Sequence, residues 1–203
     1  MQTTSKRGRI IQPSVTLELS AKAKAMAAAG QPVLNLSAGE PDLPTPAPIV
    51  EAAHRALDEG HFGYTPAPGV PALRKAVADD RTRRCGVEFS GANVIVTNGA
   101  KQALFNAIST ATDPGDRIGI PVPYWVTYAE QARALGCETE FIDCPAETGF
   151  EMDLDALDAA LAKGLRLLIL NSPSNPTGVS WSREHLTAVL ERVAATDTLL
   201  ITD

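Results

Sequence analysis

Residues 165–178 read LRLLILNSPSNPTG, an apolar run that passes directly into a polar loop. The run from Leu165 to Leu170 has the length and composition of a strand that is buried on both faces. The segment after it carries two prolines and a glycine, which is typical of a rigid loop. Because strands buried on both faces occur in parallel sheets covered by helices, this stretch predicts an α/β fold.

The same alternation continues on both sides of this stretch. Apolar runs short enough for strands are separated by segments with helical periodicity, so we predict a mostly parallel sheet with helices on both faces. The predicted strands are Val94–Val96, Arg117–Ile120, Thr139–Ile142, Leu165–Leu170 and Thr198–Thr202. The predicted helices are residues 99 onward, 124–135, 154–162 and 182–195.

The chain before this alternation is predicted to be mainly helical. A glycine follows each predicted helix, and a glycine there commonly ends a helix. Pro41–Pro48 is interpreted as a linker to the sheet. The predicted elements are a helix from the N-cap Ser14 to Ala29, a strand Val33–Leu36, a helix capped by Thr45 and opened by Pro46, and a helix Pro71–Cys85.

Composition and charge exclude several classes of protein. The net charge is −6, both signs are scattered along the sequence and no Lys/Arg block repeats, so we expect small-molecule partners rather than nucleic acid or a membrane surface. The apolar runs are far shorter than the roughly 20 residues of a membrane helix. No secretion-type apolar segment follows Lys6, Arg7 and Arg9, so a cytoplasmic location is expected.

The cysteines and histidines have the spacing of neither a disulfide framework nor a metal site. No Cys-x-x-Cys pair occurs and no two histidines lie four residues apart. We therefore expect free thiols and no metal. The residues concerned are Cys85, Cys137, Cys144, His54, His61 and His185.

The segment Thr97–Lys101 stands where a predicted strand passes into a helix. The first N–H groups of a helix point out of its positive dipole end and can bind an anion. We expect the N–H groups of Gly99, Ala100 and Lys101 to form such a site. The alternative is a connection that binds nothing, since every α/β protein contains turns of this kind.

The loop Asn171–Gly178 follows a buried strand and so lies at the carboxyl edge of the predicted sheet. Open α/β folds bind their ligands at that edge. The prolines and the glycine hold the loop rigid and fix where the side chain of Asn175 points. The alternative is a rigid turn that only connects a strand to a helix.

Asn-Ser-Pro-x-Asn-Pro-Thr-Gly resembles the signature of class I aminotransferases of the pyridoxal-5′-phosphate (PLP) fold type I, and most closely that of aspartate aminotransferases. Four further segments agree in order and spacing, and the resemblance extends over essentially the whole chain. These segments are Ser37–Asp42, Tyr64–Pro66 with Gly69, Gly99–Leu104 and Pro123–Trp125.

The resemblance implies PLP as the cofactor and assigns roles to the residues around its ring. Asp203 would hydrogen-bond the pyridine nitrogen. Trp125 would stack on the ring and also take part in binding the substrate. Asn175 would donate to the phenolic oxygen of the ring and help to hold the α-carboxylate of the substrate. The alternative for Asp203 is an aspartate that caps the turn after a strand. The alternative for Trp125 is an aromatic residue of the core.

The resemblance also assigns roles at the phosphate and at the substrate. Gly99, Ala100 and Lys101 would begin the phosphate-binding helix, and Gly39 would offer its N–H group to the substrate carboxylate. Tyr64 would reach the phosphate of a neighbouring subunit, which implies a homodimer with shared sites. The alternative for Tyr64 is an interface tyrosine that does not touch the cofactor.

The implied activity is transfer of an amino group between an L-amino acid and 2-oxoglutarate. Aspartate is the leading candidate for the amino acid. The chain is interpreted as an N-terminal fragment, with the Schiff-base lysine of the family beyond Asp203. Lys101 and Lys163 do not substitute for it. Gln12 stands where prephenate-competent relatives usually carry a basic side chain, so the resemblance does not extend to prephenate.

The resemblance further predicts two domain parts and leaves other functions open. Residues 1–45 are predicted as an N-terminal arm and the start of the small domain, and residues 46–203 as the N-terminal portion of the large PLP-binding domain. Alternative activities are transfer from aromatic or other amino acids and carbon–sulfur lysis on the same fold. A non-catalytic PLP-fold binding protein and an inactive fragment are alternatives of another class.

Overall fold

The computed structural model describes residues 3–37, 39 and 41–203. Ala38 and Glu40 of the predicted loop Ser37–Asp42 lie outside the described residues. The chain divides into two compact units. The sheet unit comprises residues up to 14 together with 99–203, and the helical unit comprises residues 15–98. The predicted division after residue 45 stays a prediction.

The helices and strands are named in chain order. They are α1 (Lys6–Ile10), α2 (Val15–Ala28), α3 (Ala47–Asp58), α4 (Pro71–Cys85), α5 (Ala100–Ala111), β1 (Arg117–Val122), α6 (Thr127–Leu135), β2 (Glu138–Asp143), α7 (Leu154–Ala162), β3 (Leu167–Leu170), α8 (Arg183–Ala194) and β4 (Leu199–Thr202).

The sheet unit is built on four parallel strands in the order β2-β1-β3-β4. Gly119 of β1 is paired with Glu140 of β2 on one side and with Leu168 of β3 on the other. Leu168 is paired in turn with Leu200 of β4. The predicted α/β class with a parallel sheet is confirmed.

Alternate residues of β3 face two different hydrophobic cores. Leu168 and Leu170 pack with side chains of α7 and α8, including Leu157 and Val189. Leu167 and Ile169 pack on the other side with side chains of α5 and α6. All four residues of β3 are buried, because helices cover both faces of the sheet.

Local signals set the ends of the helices in the sheet unit. The side chain of Ser182 accepts a hydrogen bond from the N–H of His185, and the carboxylate of Asp153 accepts from the first turn of α7. Gly136 ends α6 in the left-handed conformation, with a φ of 80°. The helices predicted from residues 99, 124, 154 and 182 are therefore present, within a few residues at their ends.

Two predicted strands are wrong. Val33–Leu36 and Val94–Val96 have no regular secondary structure. Leu34 and Leu36 are 94% and 95% exposed, and the N–H of Val96 donates to the carbonyl of Pro68 rather than to a ladder. A short apolar run becomes a strand only where a neighbouring strand pairs with it, and neither run has one among the described residues.

In the helical unit, the predicted helices agree with the structure better than the predicted strands do. α2 and α4 have the predicted bounds within one residue, and Gly86 ends α4 with a φ of 70°. α3 begins at Ala47 with Pro46 at its N-cap position, so the predicted cap by Thr45 is wrong. No helix in the described part of the chain is both long enough and apolar enough to span a membrane.

Gly119 lies at a point of close approach inside the sheet unit. A Cβ atom at this position would lie 2.8 Å from a methyl carbon of Leu165 and 2.9 Å from one of Leu168. Glycine is depleted in strands because it packs nothing, so its presence in a central strand indicates that space is lacking. The side chains of Leu165, just before β3, and of Leu168, within it, occupy that space.

Gly119→Val should lower the free energy of unfolding by about 1–3 kcal/mol, because the new methyl groups overpack the core. Leu168→Ala alone should cost about 2–5 kcal/mol by leaving a cavity. The double variant should be less destabilised than the sum of the two by about 1 kcal/mol, since each change compensates the other. Urea denaturation measures all three variants, and strict additivity would contradict this packing.

Candidate functional site

Three segments of the sheet unit meet at the carboxyl edge of the sheet. The segment after β1 carries Trp125 and leads into α6, the loop after β3 begins at Asn171, and β4 is followed by Asp203. The strands are parallel, so these segments emerge at the same edge. This edge is the candidate site.

Three hydrogen bonds hold Asp203, two with the end of β3 and the residue after it and one with α6. Its N–H donates to the carbonyl of Leu170 at 2.9 Å, and its backbone oxygen accepts from the side-chain Nδ2 of Asn171 at 2.9 Å. Its carboxylate oxygen Oδ2 accepts from the hydroxyl of Tyr128. The other oxygen, Oδ1, accepts no hydrogen bond within the described part of the chain. One oxygen of a fixed, exposed carboxylate is thus left for a ligand.

Tyr128 is the partner that orients this carboxylate. Its side chain is buried on α6, with 2% of the residue exposed. Burial first, and then the hydrogen bond and the negative charge of Asp203, raise the pKa of the Tyr128 hydroxyl well above its usual value. Tyr128 therefore stays protonated at neutral pH and donates a hydrogen bond to the carboxylate of Asp203.

Trp125 lies between Tyr128 and the beginning of α5. Its ring meets that of Tyr128 edge-on, with centroids 5.5 Å apart and planes at 87°. The ammonium group of Lys101 lies 5.0 Å from the centroid of the Trp125 ring, within range of a cation–π contact. Trp125 is half-buried, so part of its surface remains open at the site.

The N-terminus of α5 lies on the exposed side of this cluster. Gly99 caps the helix with a φ of 79°, a conformation that favours glycine. Gly99, Ala100 and Lys101 are all exposed. The positive end of the α5 dipole and its first N–H groups suit a phosphate or carboxylate here.

The loop after β3 is held by its backbone. The N–H of Asn175 donates to the side-chain oxygen of Asn171 at 2.7 Å, and the N–H of Gly178 donates to the carbonyl of Ser174 at 2.7 Å. The side-chain amide of Asn175 is exposed and makes no hydrogen bond to any described residue. The loop is therefore fixed while this amide remains available to a ligand.

A small cavity separates this loop from the strands, and aromatic side chains form part of its wall. Tyr124, Phe150 and Trp181 line it together with Cys144. The indole N–H of Trp181 donates to the carbonyl of Phe150 at 2.8 Å, which fixes the ring. Burial raises the pKa of the Cys144 thiol to about 11, so this thiol stays protonated at neutral pH.

Gly39 and Tyr64 belong to the helical unit and are described by themselves. Both are exposed, and Tyr64 is exposed over its entire side chain. A Cβ atom at Gly39 would meet no described atom within 4 Å. Their assigned roles toward substrate and phosphate stay predictions. Among the described residues no group of acidic, histidine and cysteine side chains could hold a metal ion.

The structure therefore brings together Lys101, Trp125, Asn175 and Asp203 in one unit. The residues that join them, Tyr128 and Asn171, were not assigned roles from the sequence. Tyr128 lies three residues after Trp125, a helical spacing that could have indicated a shared face. Asn171 opens the recognised motif, but its contact with Asp203 depends on strand pairing that the sequence does not show.

The chain is similar in sequence to known proteins. Residues 31–203 match the family model described as aminotransferase class I and II. The chain is 38% identical over 199 residues to an aspartate aminotransferase of Bacillus subtilis, which covers 98% of this chain and 51% of that protein. It is 40% identical over 181 residues to an aspartate/prephenate aminotransferase of Cereibacter sphaeroides, with 89% and 45% covered.

The structure is also similar to solved structures. An aspartate aminotransferase from Thermus thermophilus with maleate aligns with a TM-score of 0.96 at 37% identity, over 100% of this chain and 53% of that chain. The aspartate aminotransferase from Rhizobium meliloti aligns with a TM-score of 0.93 at 36% identity, over 100% and 51%. The chain spans about half the length of the curated relatives it matches.

Tyr128→Phe should lower the free energy of unfolding at pH 7 by about 1–3 kcal/mol, because the carboxylate of Asp203 loses a hydrogen-bond donor. A group whose pKa is raised on folding stabilises the fold below its unfolded pKa, about 10 for tyrosine, and that contribution is lost as the pH rises further. The difference between wild type and variant should therefore shrink above pH 10. Urea denaturation from pH 7 to 11 measures it.

Tyr124→Phe is the matched control, because the Tyr124 ring lines the same cavity while its hydroxyl has no hydrogen-bond partner among the described residues. It should leave the free energy of unfolding at pH 7 close to that of wild type, because no hydrogen bond is removed. An equal stability loss in both variants would contradict the Tyr128–Asp203 hydrogen bond.

Proposed function

The chain belongs to the class I and II aminotransferase family, and on that premise we propose that it forms the cofactor-binding part of a PLP-dependent transaminase. The proposed reaction moves an amino group between an L-amino acid, aspartate first, and 2-oxoglutarate. The observation that carries the proposal is the carboxylate of Asp203, which Tyr128 and Asn171 hold with one oxygen left for a ligand.

The residues of the site match the three chemical parts of the cofactor. PLP has a phosphate, a flat aromatic ring and a basic ring nitrogen. The N-terminus of α5 suits the phosphate, the open surface of Trp125 suits the ring, and the carboxylate of Asp203 suits a protonated nitrogen. The set of donors and acceptors therefore fits the group.

PLP, when bound, supplies an electron sink for the charge left on the substrate after its α-proton is removed. Asp203 contributes by holding a proton on the ring nitrogen, because a negative charge beside a cation raises the pKa of that cation. Tyr128 keeps the carboxylate in place, and its own hydroxyl stays neutral. Asn171 fastens the backbone of Asp203 to the loop that carries Asn175.

The remaining residues are proposed to bind and orient. Trp125 stacks on the ring, and the amide of Asn175 donates to the phenolic oxygen of the cofactor and to the substrate carboxylate. The N–H groups of Gly99, Ala100 and Lys101 bind the phosphate. Gly39 is proposed to donate its N–H to the substrate carboxylate.

Assembly and location belong to the same proposal. Tyr64 is exposed and is proposed to reach the phosphate in a neighbouring subunit of a homodimer. Residues 1–45 and 46–203 are proposed to belong to the small and the large domain of the family fold. A cytoplasmic location is proposed with them.

Aspartate is proposed as a substrate because the relatives are named for it. The similar aspartate aminotransferase from Thermus thermophilus is described with maleate, which is a dicarboxylate like aspartate. Prephenate is not proposed. Several relatives are named aspartate/prephenate aminotransferase, but Gln12 provides no cation, and its N–H donates to the carboxylate of Glu130 at 2.8 Å.

The lysine that would hold the cofactor covalently is assigned to a position outside residues 1–203. The ammonium group of Lys101 lies over the Trp125 ring, and Lys101 begins the phosphate-binding helix. Lys163 pairs with Glu140 and lies just before β3, at the opposite edge of the sheet. Lys163 is thus away from the site, and Lys101 is proposed to serve the phosphate rather than to form a bond to the cofactor.

Asp203→Ala should slow amino transfer from aspartate to 2-oxoglutarate by about a hundredfold or more. The ring nitrogen loses its charge partner, and each loss of about 1.4 kcal/mol in transition-state stabilisation costs about tenfold in rate. The affinity for PLP should change much less, because the phosphate and ring contacts remain. Steady-state rates and PLP titrations on protein expressed from its natural reading frame measure both quantities.

Asp197→Ala is the matched control. Asp197 lies just before β4, the strand that Asp203 follows, and makes no hydrogen bond or ion pair to a described residue. A cofactor analogue methylated on the ring nitrogen carries a permanent positive charge and should restore part of the rate of Asp203→Ala. A near-normal rate in Asp203→Ala would show that Asp203 is not the partner of the ring nitrogen.

Asn175→Ala should lower turnover by about tenfold or more, because it removes a donor to cofactor and substrate. The free energy of unfolding should change by less than about 0.5 kcal/mol, because the backbone and not this side chain holds the loop. Ser180→Ala is the control for both measurements, because Ser180 is exposed and lies just after the loop. Normal turnover with lowered stability would instead support the reading of the loop as a rigid turn.

A further inference from the structure

Gln131 is the one polar residue that is buried among the residues the structure describes, with 8% of its surface exposed. It lies on α6, and its Nε2 donates to the backbone carbonyl of Lys101 at 2.8 Å. Only the NH₂ end of the amide can face a carbonyl oxygen, so this contact fixes the orientation of the side chain. Its oxygen Oε1 is buried and has no hydrogen-bond partner among the described residues.

A buried acceptor without a partner lowers stability, so packing alone does not account for glutamine at this position. Methionine has a similar size and would fill the same space without a polar atom. The feature of Gln131 that methionine lacks is the hydrogen bond to Lys101. That bond acts on the beginning of α5, where Lys101 lies.

The carbonyl of Lys101 and the N–H of Gln102 belong to one planar peptide unit in the first turn of α5. A donor held at 2.8 Å from that carbonyl fixes the plane of the unit and therefore the direction of its N–H group. Hydrogen bonds in series also polarise one another, so donation to the carbonyl strengthens the N–H as a donor. Both effects act on the end of α5 that is proposed to bind the phosphate.

We propose that Gln131 is a positioning residue that holds the first turn of α5 in the geometry that binds the cofactor phosphate. This inference rests on the proposed function. Gln131 also fixes the backbone of the residue whose side chain lies over Trp125, so it links the phosphate and ring parts of the site. Gln131 itself is buried behind α5 and does not touch the cofactor.

The test compares PLP with pyridoxal, which lacks the phosphate, on the full chain as wild type and as Gln131→Met. In the variant the affinity for PLP should fall by about fivefold to tenfold, the value of one hydrogen bond. The affinity for pyridoxal should stay the same. Both ligands carry the ring, so an effect on the ring contact cancels in the ratio of the two dissociation constants and the ratio reports on the phosphate contact. Inorganic phosphate should compete less well against PLP in the variant.

Ile108→Val is the matched control, because Ile108 is a fully buried residue of α5 on the core side of the helix. It should lower stability without changing the ratio. Hydrogen exchange of the amides from 100 to 105 should become faster in Gln131→Met and not in Ile108→Val. If Gln131→Met does not fold, Gln131→Leu carries the same test.

An unchanged ratio in a folded Gln131 variant, with wild type binding PLP more tightly than pyridoxal, would overturn the inference and leave the proposed function standing. A wild-type chain that shows no preference for PLP over pyridoxal would instead contradict the phosphate site of the proposed function. The two failures are therefore distinguishable.

Discussion

Parallel pairing of β1, β3 and β4 is the constraint on which the candidate site depends. Each strand delivers the segment that follows it to the same edge, so side chains far apart in sequence become neighbours. The hydrogen bond between Tyr128 and Asp203 joins residues 75 positions apart, and that between Asn171 and Asp203 joins residues 32 apart. Without the register of the sheet, none of these contacts would exist.

The candidate site at the carboxyl edge of the sheet carries opposite charges at its two ends. The fixed carboxylate of Asp203 is negative, whereas the N-terminus of α5 and the ammonium group of Lys101 are positive. The ring of Trp125 lies between them through its contacts with Tyr128 and Lys101. A ligand with a cationic nitrogen at one end and an anionic group at the other matches this arrangement of charges.

The sequence predicted the sheet unit well because its strands are apolar on both faces and its helices carry clear caps. β3 and α8 are examples, with four buried residues in one and Ser182 at the start of the other. The same apolar signal misled at Val33–Leu36, where no strand within the described part of the chain pairs with the backbone. The resemblance named Asp203, Trp125 and Asn175, but Tyr128, Asn171 and Gln131 act through contacts between elements, which a linear pattern does not record.

The hydrogen bond between Tyr128 and Asp203 also bears on when the site can form. A chain made from its N-terminus presents β1 and α6 to solvent well before β4 exists, because 75 positions separate the two partners. Until β4 pairs with β3, the Tyr128 hydroxyl is a donor beside an apolar core with no carboxylate to receive it. The contacts of Asp203 with Tyr128 and Leu170 therefore form only once β4 has joined β3, so the fixed carboxylate is a late product of sheet assembly rather than a guide to its early steps.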